Sequence, residues 1–309
     1  MRVPVRLAAL LLLIGPTLLT NSGLRMGGRE AMAANPPSPP LAIPPLAAPP
    51  LAVPPLAIPP SGQPPLRVNA PLAAHRAMYQ LSLDRGHGRK QITSAQGTMG
   101  YEVVDACDGW VARQRLRMAV SNSEGETTDM ESDYATWEAK DGLSFRFHVS
   151  QKTDANVTNQ TDGGARLSRS GGPGEVRYRM PKDKKIDLPA GTLFPMMHTV
   201  AIINAAREGK KFLSLPLFDG TDEHGAEDSS IAITDWKPPF ETKQALLNGL
   251  SNTKVRVAFF DRTSTAATPS YEVGMRYWEN GVADEMKMDF GDFVMDAKLT
   301  ELSPLPRRC

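Results

Sequence analysis

Beyond residue 72, apolar and lighter or polar positions alternate along most of the chain. Tyr79, Leu81 and Leu83 are set apart by single residues, as are Met99, Tyr101 and Val103, and again Phe145, Phe147 and Val149. A period of two is that of a strand buried on one face. Similar runs occupy 176–180, 212–218, 231–234, 255–260, 271–278, 282–290 and 293–302. The dipeptides Asp141-Gly142, Gly163-Gly164, Asn280-Gly281 and Gly291-Asp292 read as hairpin turns between them. About a dozen short strands with tight connections predict an antiparallel sheet that curls or closes to hide its edges.

One segment breaks the period. In "LPAGTLFPMMHTVAIINAAREGKKF" the residues Met197, Val200, Ala201 and Ile203 fall at helical spacing. Pro195 suits an early helical position, and Gly209 follows the last turn. A lone apolar helix of about 14 residues needs burial. The economical fold is mainly β, a single antiparallel, open barrel-like sheet wrapped around one α-helix. A second short helix is expected at Lys243 to Asn248.

The N-terminal residues have a different character. Arg2 and Arg6 precede the apolar run "LAALLLLIGPTLL", and Ala31-Met32-Ala33 offers a cleavage site, so residues 1–33 read as a secretory signal peptide. An uncleaved anchor is the alternative, but the run is shorter than the roughly 20 residues that span a bilayer. Residues 34–71 form a proline-rich linker in which "PPLA" starts at Pro39, Pro44, Pro49 and Pro54, the pattern of an extended polyproline II spacer. Residues 72–309 then make one folded domain in an oxidising compartment, the periplasm in a bacterium.

Charge and motif searches narrow the chemistry. Apart from Arg2, Arg6, Arg25, Arg29, Arg67 and Glu30, the chain carries 30 basic and 33 acidic residues, with no long block of one sign. Nucleic acid is not an expected partner. The histidines are scattered and no C-x-x-C, G-x-S-x-G or Walker loop occurs, so no metal or cofactor is expected. "RGHGRK" reads as a turn, and the sequons at Asn156 and Asn159 as polar loop. His198 is the polar site candidate, expected inside the sheet near Asp219 and Glu138; a structural, hydrogen-bonded histidine is the plainer reading.

Cys107 and Cys309 are the only thiols, so a single intramolecular bridge is expected. A free terminal thiol and an intermolecular bridge are the alternatives. An intramolecular bridge would tie the far end of the sheet back near its beginning.

The stretches "YQLSL", "ACDGW" with Gln114, "DYATWEAKDGLSFRF", "LPAGTLFPMMHT", "FDGTDE", "VAFF", "YEVGMRYWENGVAD" and "DFGDFVM" follow in order over residues 77–309. In these the chain resembles the EipB family of bacterial cell-envelope integrity proteins. The resemblance implies an antiparallel β-spiral curling around a helix, a disulfide that maps onto Cys107 and Cys309, and a shape like that of periplasmic lipoprotein and lipid carriers. It implies a role in envelope integrity and stress resistance without an established enzymatic activity. The proline-rich repeat is a departure from the family pattern.

Three functions follow. A carrier would hold an apolar ligand, a lipid or lipopeptide, in a lumen lined by Phe145, Phe147, Tyr178, Met197, Val200, Phe259 and Tyr277. A scaffold would pack those side chains solidly and bind other envelope proteins. An enzyme would use His198 with a carboxylate, but no reaction motif supports it. The expected protein is non-enzymatic and peripheral to a membrane at most.

Overall fold

The computed structural model describes residues 71–86 and 92–306. The expected signal peptide, the proline-rich linker, the centre of "RGHGRK" and Cys309 lie outside those residues. The chain lays down β1 (His75–Gly86), β2 (Ile92–Asp105), β3 (Gly109–Asn122), β4 (Thr127–Ala139), β5 (Ser144–Thr153) and β6 (Asn156–Leu167) as successive antiparallel neighbours. The shorter β7 (Gly174–Met180) and β8 (Lys185–Leu188) continue the series, and helix α1 (Pro195–Arg207) follows. Then come β9 (Phe212–Leu217), β10 (Glu227–Ile233), β11 (Lys237–Phe240), β12 (Leu250–Phe260), β13 (Tyr271–Trp278), β14 (Ala283–Asp289) and β15 (Phe293–Pro304). All belong to one 15-stranded sheet, mainly β and antiparallel as expected, whose order runs from β8 back to β1, on through β15, β14, β13, β12 and β10, to β9.

Alternation sets the inner face. On β3, Ala112, Gln114, Leu116, Met118 and Val120 are buried while Arg113, Arg115 and Arg117 between them are exposed. The register aligns these phases across strands. Tyr101, Gln114, Tyr134, Val149 and Thr161 stand opposite one another from β2 to β6. Helix α1 is buried from Pro195 to Ala206 except at Asn204. A helix that is apolar on every side is stable only when enclosed. Gly209, at φ 76°, lies just past its end as the spacing predicts.

The edges of the sheet are mid-chain strands. His75 pairs with Pro304 and Gly86 with Phe293, so the first and last strands are neighbours in its interior. Hydrogen bonds therefore join the first and last described strands directly. The edge strands are β8 and β9. The chain crosses from one to the other within a few residues: Leu193 bridges Leu217, donating to the Pro216 carbonyl at 2.9 Å and accepting from Phe218 at 3.0 Å. Residues 218–226 then lie over the inner face, where Tyr134 donates to the Asp219 carbonyl at 2.9 Å, Thr161 to Gly220, and Asn159 to Thr221 at 2.8 Å.

Other local expectations also change. Gly163-Gly164 is no hairpin turn; it lies inside β6, where a Cβ on Gly163 would sit 2.4 Å from the Arg177 carbonyl and 2.9 Å from the Phe147 ring. Close approach, rather than a turn, requires glycine there. The turn falls at Asp154 and Ala155, with φ of 50° and 63°, the left-handed pair that a two-residue hairpin needs. Asn156 and Asn159 are thus on a strand. Residues 243–248 form turns, not a helix. Several strands are long: β2 and β3 have 14 residues each.

Candidate functional site

The chemistry gathers on the enclosed face. Helix α1 begins at Phe194, which offers no side-chain cap, so its first amides need acceptors from elsewhere. Glu138 on β4 supplies them: Oε2 accepts from Met196 at 2.7 Å and Oε1 from Met197 at 2.9 Å. A carboxylate at a helix N-terminus is favourable on dipole grounds as well. Burial nevertheless pushes the Glu138 pKa up to about 8, against the pull of the two amides.

His198 does not meet either expected carboxyl group. Its Nε2 lies 2.8 Å from Ser229 Oγ on β10, and Ser229 donates to the Leu215 carbonyl on β9 at 2.7 Å. The hydroxyl proton is thereby committed, so Nε2 carries a proton and donates. In that tautomer Nε2 cannot take the serine proton, and burial lowers the His198 pKa to about 4. The arrangement ties α1 to the β9–β10 edge.

The sequence-predicted lumen residues are all buried but fall into separate groups. Phe145, Phe147 and Tyr178 pack with Phe194 and Phe218, their ring centroids 5.0 to 6.4 Å apart. Met197 lies with Leu193, Ala201 and Leu215. Val200, Phe259 and Tyr277 join the main core, into which α1 also turns Met196 and Ile203. The five-ring cluster stands on the inner face of β5 and β7, and residues 218–226 lie over it with Phe218 packed among the rings. Gly220 and Gly225, at φ 78° and 90°, let that segment approach closely: a Cβ would lie 2.3 Å from the Phe147 ring and 2.9 Å from Ile186.

Three inward polar groups stand out, of which the sequence reading placed only Asp219 inside the sheet. The Gln114 amide, Ser132 Oγ and Asp219 Oδ2 are buried with no hydrogen-bond partner among the described residues. Gln114 was accessible from its phase, since Ala112 and Leu116 flank it at i±2; its polarity concealed it. No lysine or arginine is buried among the described residues. Nor do the described residues gather three or more metal-ligating side chains.

On the outer face, a hollow of about 660 Å³ between Gln80, Arg117, Glu131 and Lys152 is lined by charges that pair locally, Arg117 with Glu131 at 3.3 Å. Cys107 lies at the β2–β3 turn with φ 72°, its amide donating to Asp105 Oδ1 at 3.0 Å, and it is not a free thiol. Leu305 donates to the Ala74 carbonyl at 2.9 Å, so the C-terminal end passes beside the start of β1, whose other neighbour is the end of β2.

The sequence profile of the EipB-like family matches residues 67–306. The cell envelope integrity protein EipB of Brucella abortus (strain 2308) is 30% identical over 239 residues, covering 75% of this chain and 84% of that protein. The crystal structure of a beta-barrel-like protein of domain of unknown function DUF1849, from Brucella abortus, superposes with a TM-score of 0.70 at 30% identity, covering 77% of this chain and all of that one.

Proposed function

The chain belongs to the EipB-like family, and on that premise we propose that it is a periplasmic, non-catalytic protein that supports cell-envelope integrity by binding a lipid or lipopeptide within its curved sheet. One observation carries the binding reading. The five-ring apolar cluster stands on the inner face of β5 and β7, closed over by the glycine-bearing segment 218–226, which packs its own Phe218 into it, instead of by a strand. Displacing that segment opens an aromatic surface without breaking a strand ladder. The committed Ser229 proton supports a structural role for His198.

The expected Cys107–Cys309 bridge belongs to the same proposal. Leu305 beside Ala74 and Val103 opposite His75 bring the described C-terminal residues within two strand spacings, roughly 10 Å, of the end of β2. A disulfide there fits an oxidising compartment.

The test is organic extraction and mass spectrometry of the protein purified from its own periplasm without detergent. A stoichiometric lipid or lipopeptide supports the proposal. The ring-to-ring packing of Phe145, Phe147, Phe194 and Phe218 favours the second reading, a scaffold acting through envelope proteins. An empty extract that stays empty after lipid is added selects it.

A further inference from the structure

We propose that Gln114, Ser132 and Asp219 form the polar end of the ligand site, and that they take an uncharged, amide-bearing head group, that of an acylated peptide, in preference to a phosphate or a free carboxylate. The inference rests on the binding reading above and names its substrate class.

The three groups surround one side chain. Gln114 stands directly opposite Tyr134, Ser132 precedes Tyr134 by two residues on the same face of β4, and the Asp219 carbonyl accepts the Tyr134 hydroxyl. Gln114 is 4% exposed, Ser132 1% and Asp219 7%. Both polar atoms of the Gln114 amide, the Ser132 oxygen and one Asp219 oxygen lack partners. A buried polar group left unpaired is costly, so several around one tyrosine mark a place made to be filled by hydrogen-bonding atoms. A primary amide pairs best with another amide. Its N–H donates to the ligand carbonyl while its oxygen accepts the ligand N–H.

Charge decides against the commoner lipid heads. No lysine or arginine is buried in the described residues, and burial pushes His75 and His198 down, towards their uncharged forms. Asp219 is pushed well up, and Glu138 is engaged with the first amides of α1. An anionic head would therefore enter a low-dielectric interior with no counter-charge to offset its lost hydration. Phe147 lies two strands over and one residue pair along from Gln114, so strand geometry puts the polar end roughly 12 Å from the ring cluster. On β5, Val149 stands one residue pair from Phe147 on the same face and gives an acyl chain an apolar step from head to rings.

The experiment uses the delipidated mature protein and an uncharged fluorescent apolar probe, N-phenyl-1-naphthylamine, displaced by three competitors of equal chain length: N-dodecanoylglycinamide, dodecanoic acid and dodecyl phosphate. The expected result is displacement by the glycinamide at a concentration at least tenfold lower than either anion. Gln114→Leu removes that preference and leaves the anions unchanged. Ser132→Ala, which adds no volume, weakens the glycinamide several-fold and serves as the control where Gln114→Leu does not fold. Equal displacement by all three, or an unaltered preference in both variants, overturns the head-group assignment while leaving an apolar site in place. Failure of every competitor to displace the probe or bind by calorimetry overturns the binding reading itself, and this inference with it.

Discussion

Met197 donates its backbone amide to Glu138, 59 positions earlier in the chain, at 2.9 Å. The other carboxylate oxygen takes the Met196 amide, so a single strand residue supplies the N-terminal cap that Phe194 lacks.

Replacing Glu138 by alanine leaves two buried amides without acceptors. The expected loss is about 2–4 kcal/mol, on the scale of unpaired buried groups. A glutamine side chain keeps one acceptor but turns an NH2 toward the second amide, so Glu138→Gln loses roughly half as much. Urea denaturation followed by tryptophan fluorescence measures both, and equal stability of all three proteins would remove the capping role.

The same residue predicts a pH dependence. Its folded-state pKa of about 8 lies above the ordinary value of 4.5, so the folded protein holds a proton that the unfolded chain releases. Stability then falls as pH rises from 4.5 to about 8; Asp219, also raised, acts in the same sense. His198 is opposite: held down to about 4, it loses stability as pH falls from 6.5 towards 4. Above pH 6.5 the His198 contribution is complete, while His224, raised by the Asp222 carboxylate 3.6 Å from its ring, declines together with the carboxyls. One proton is worth about 1.4 kcal/mol per pH unit, so between pH 6.5 and 8 Glu138 accounts for at most ~2 kcal/mol. Melting curves of wild type and Glu138→Gln should show a shallower decline in the variant across that window.

Ser229→Ala strands the His198 N–H and the Leu215 carbonyl together. We expect a loss of about 2 kcal/mol. His198→Gln, which can still donate to Ser229, should lose less and flatten the decline below pH 6.5. A loss equal to that of Ser229→Ala would show that the donor is not what His198 contributes.

Gly220→Ala forces a Cβ to 2.3 Å from the Phe147 ring at φ 78°. The expected outcome is a covering segment that lifts from the ring cluster, with increased binding of anilinonaphthalene sulfonate and faster amide exchange at residues 218–226. The strand ladders should stay protected. Unchanged probe binding with a simple loss of stability would argue that the segment does not move as a unit.

Thiol labelling under denaturing, non-reducing conditions checks the proposed bridge. No label is expected before reduction and two per chain afterwards. Cys309→Ser should lower stability by at most about 5 kcal/mol, the chain-entropy value for so long a loop. Two labels without reduction would leave Cys107 and Cys309 unbridged.

The sheet was legible where the buried face of a strand is apolar, because burial of apolar residues imposes the period of two; β4, whose inward face mixes Met130 and Tyr134 with Ser132, Thr136 and Glu138, was not among the expected runs. Tyr79, Met99, Phe145 and Tyr271 all begin runs that became strands. Strand β6 was missed because residues 156–160 are solvent-facing on both sides, so no alternation is written there. Strand β11, with all four residues exposed, leaves no trace for the same reason. The helix was found within a residue, since Pro195 and Gly209 mark its ends chemically. The polar interior was harder. Glu138, Gln114 and Ser229 occupy inward positions of alternating strands, and a pattern scored on apolar residues counts each as surface. His198 was found, but not its partner: Ser229 is 31 residues away, and only the fold of α1 against β10 brings the two together.

The adjacency of β1 and β15 has a kinetic consequence. A chain made from its N-terminus onward presents β1 with one edge unpaired until the last strand arrives, as the hydrogen bond from Thr300 to Met78, spanning 222 positions, makes plain. Pairings this distant in sequence form slowly, and an open edge is a template for other chains in the meantime. The first eight strands can zip in order as hairpins, so the vulnerable interval is the one between their assembly and the arrival of Phe293 to Pro304. Truncation within that final strand would expose the middle of the sheet rather than fray its margin.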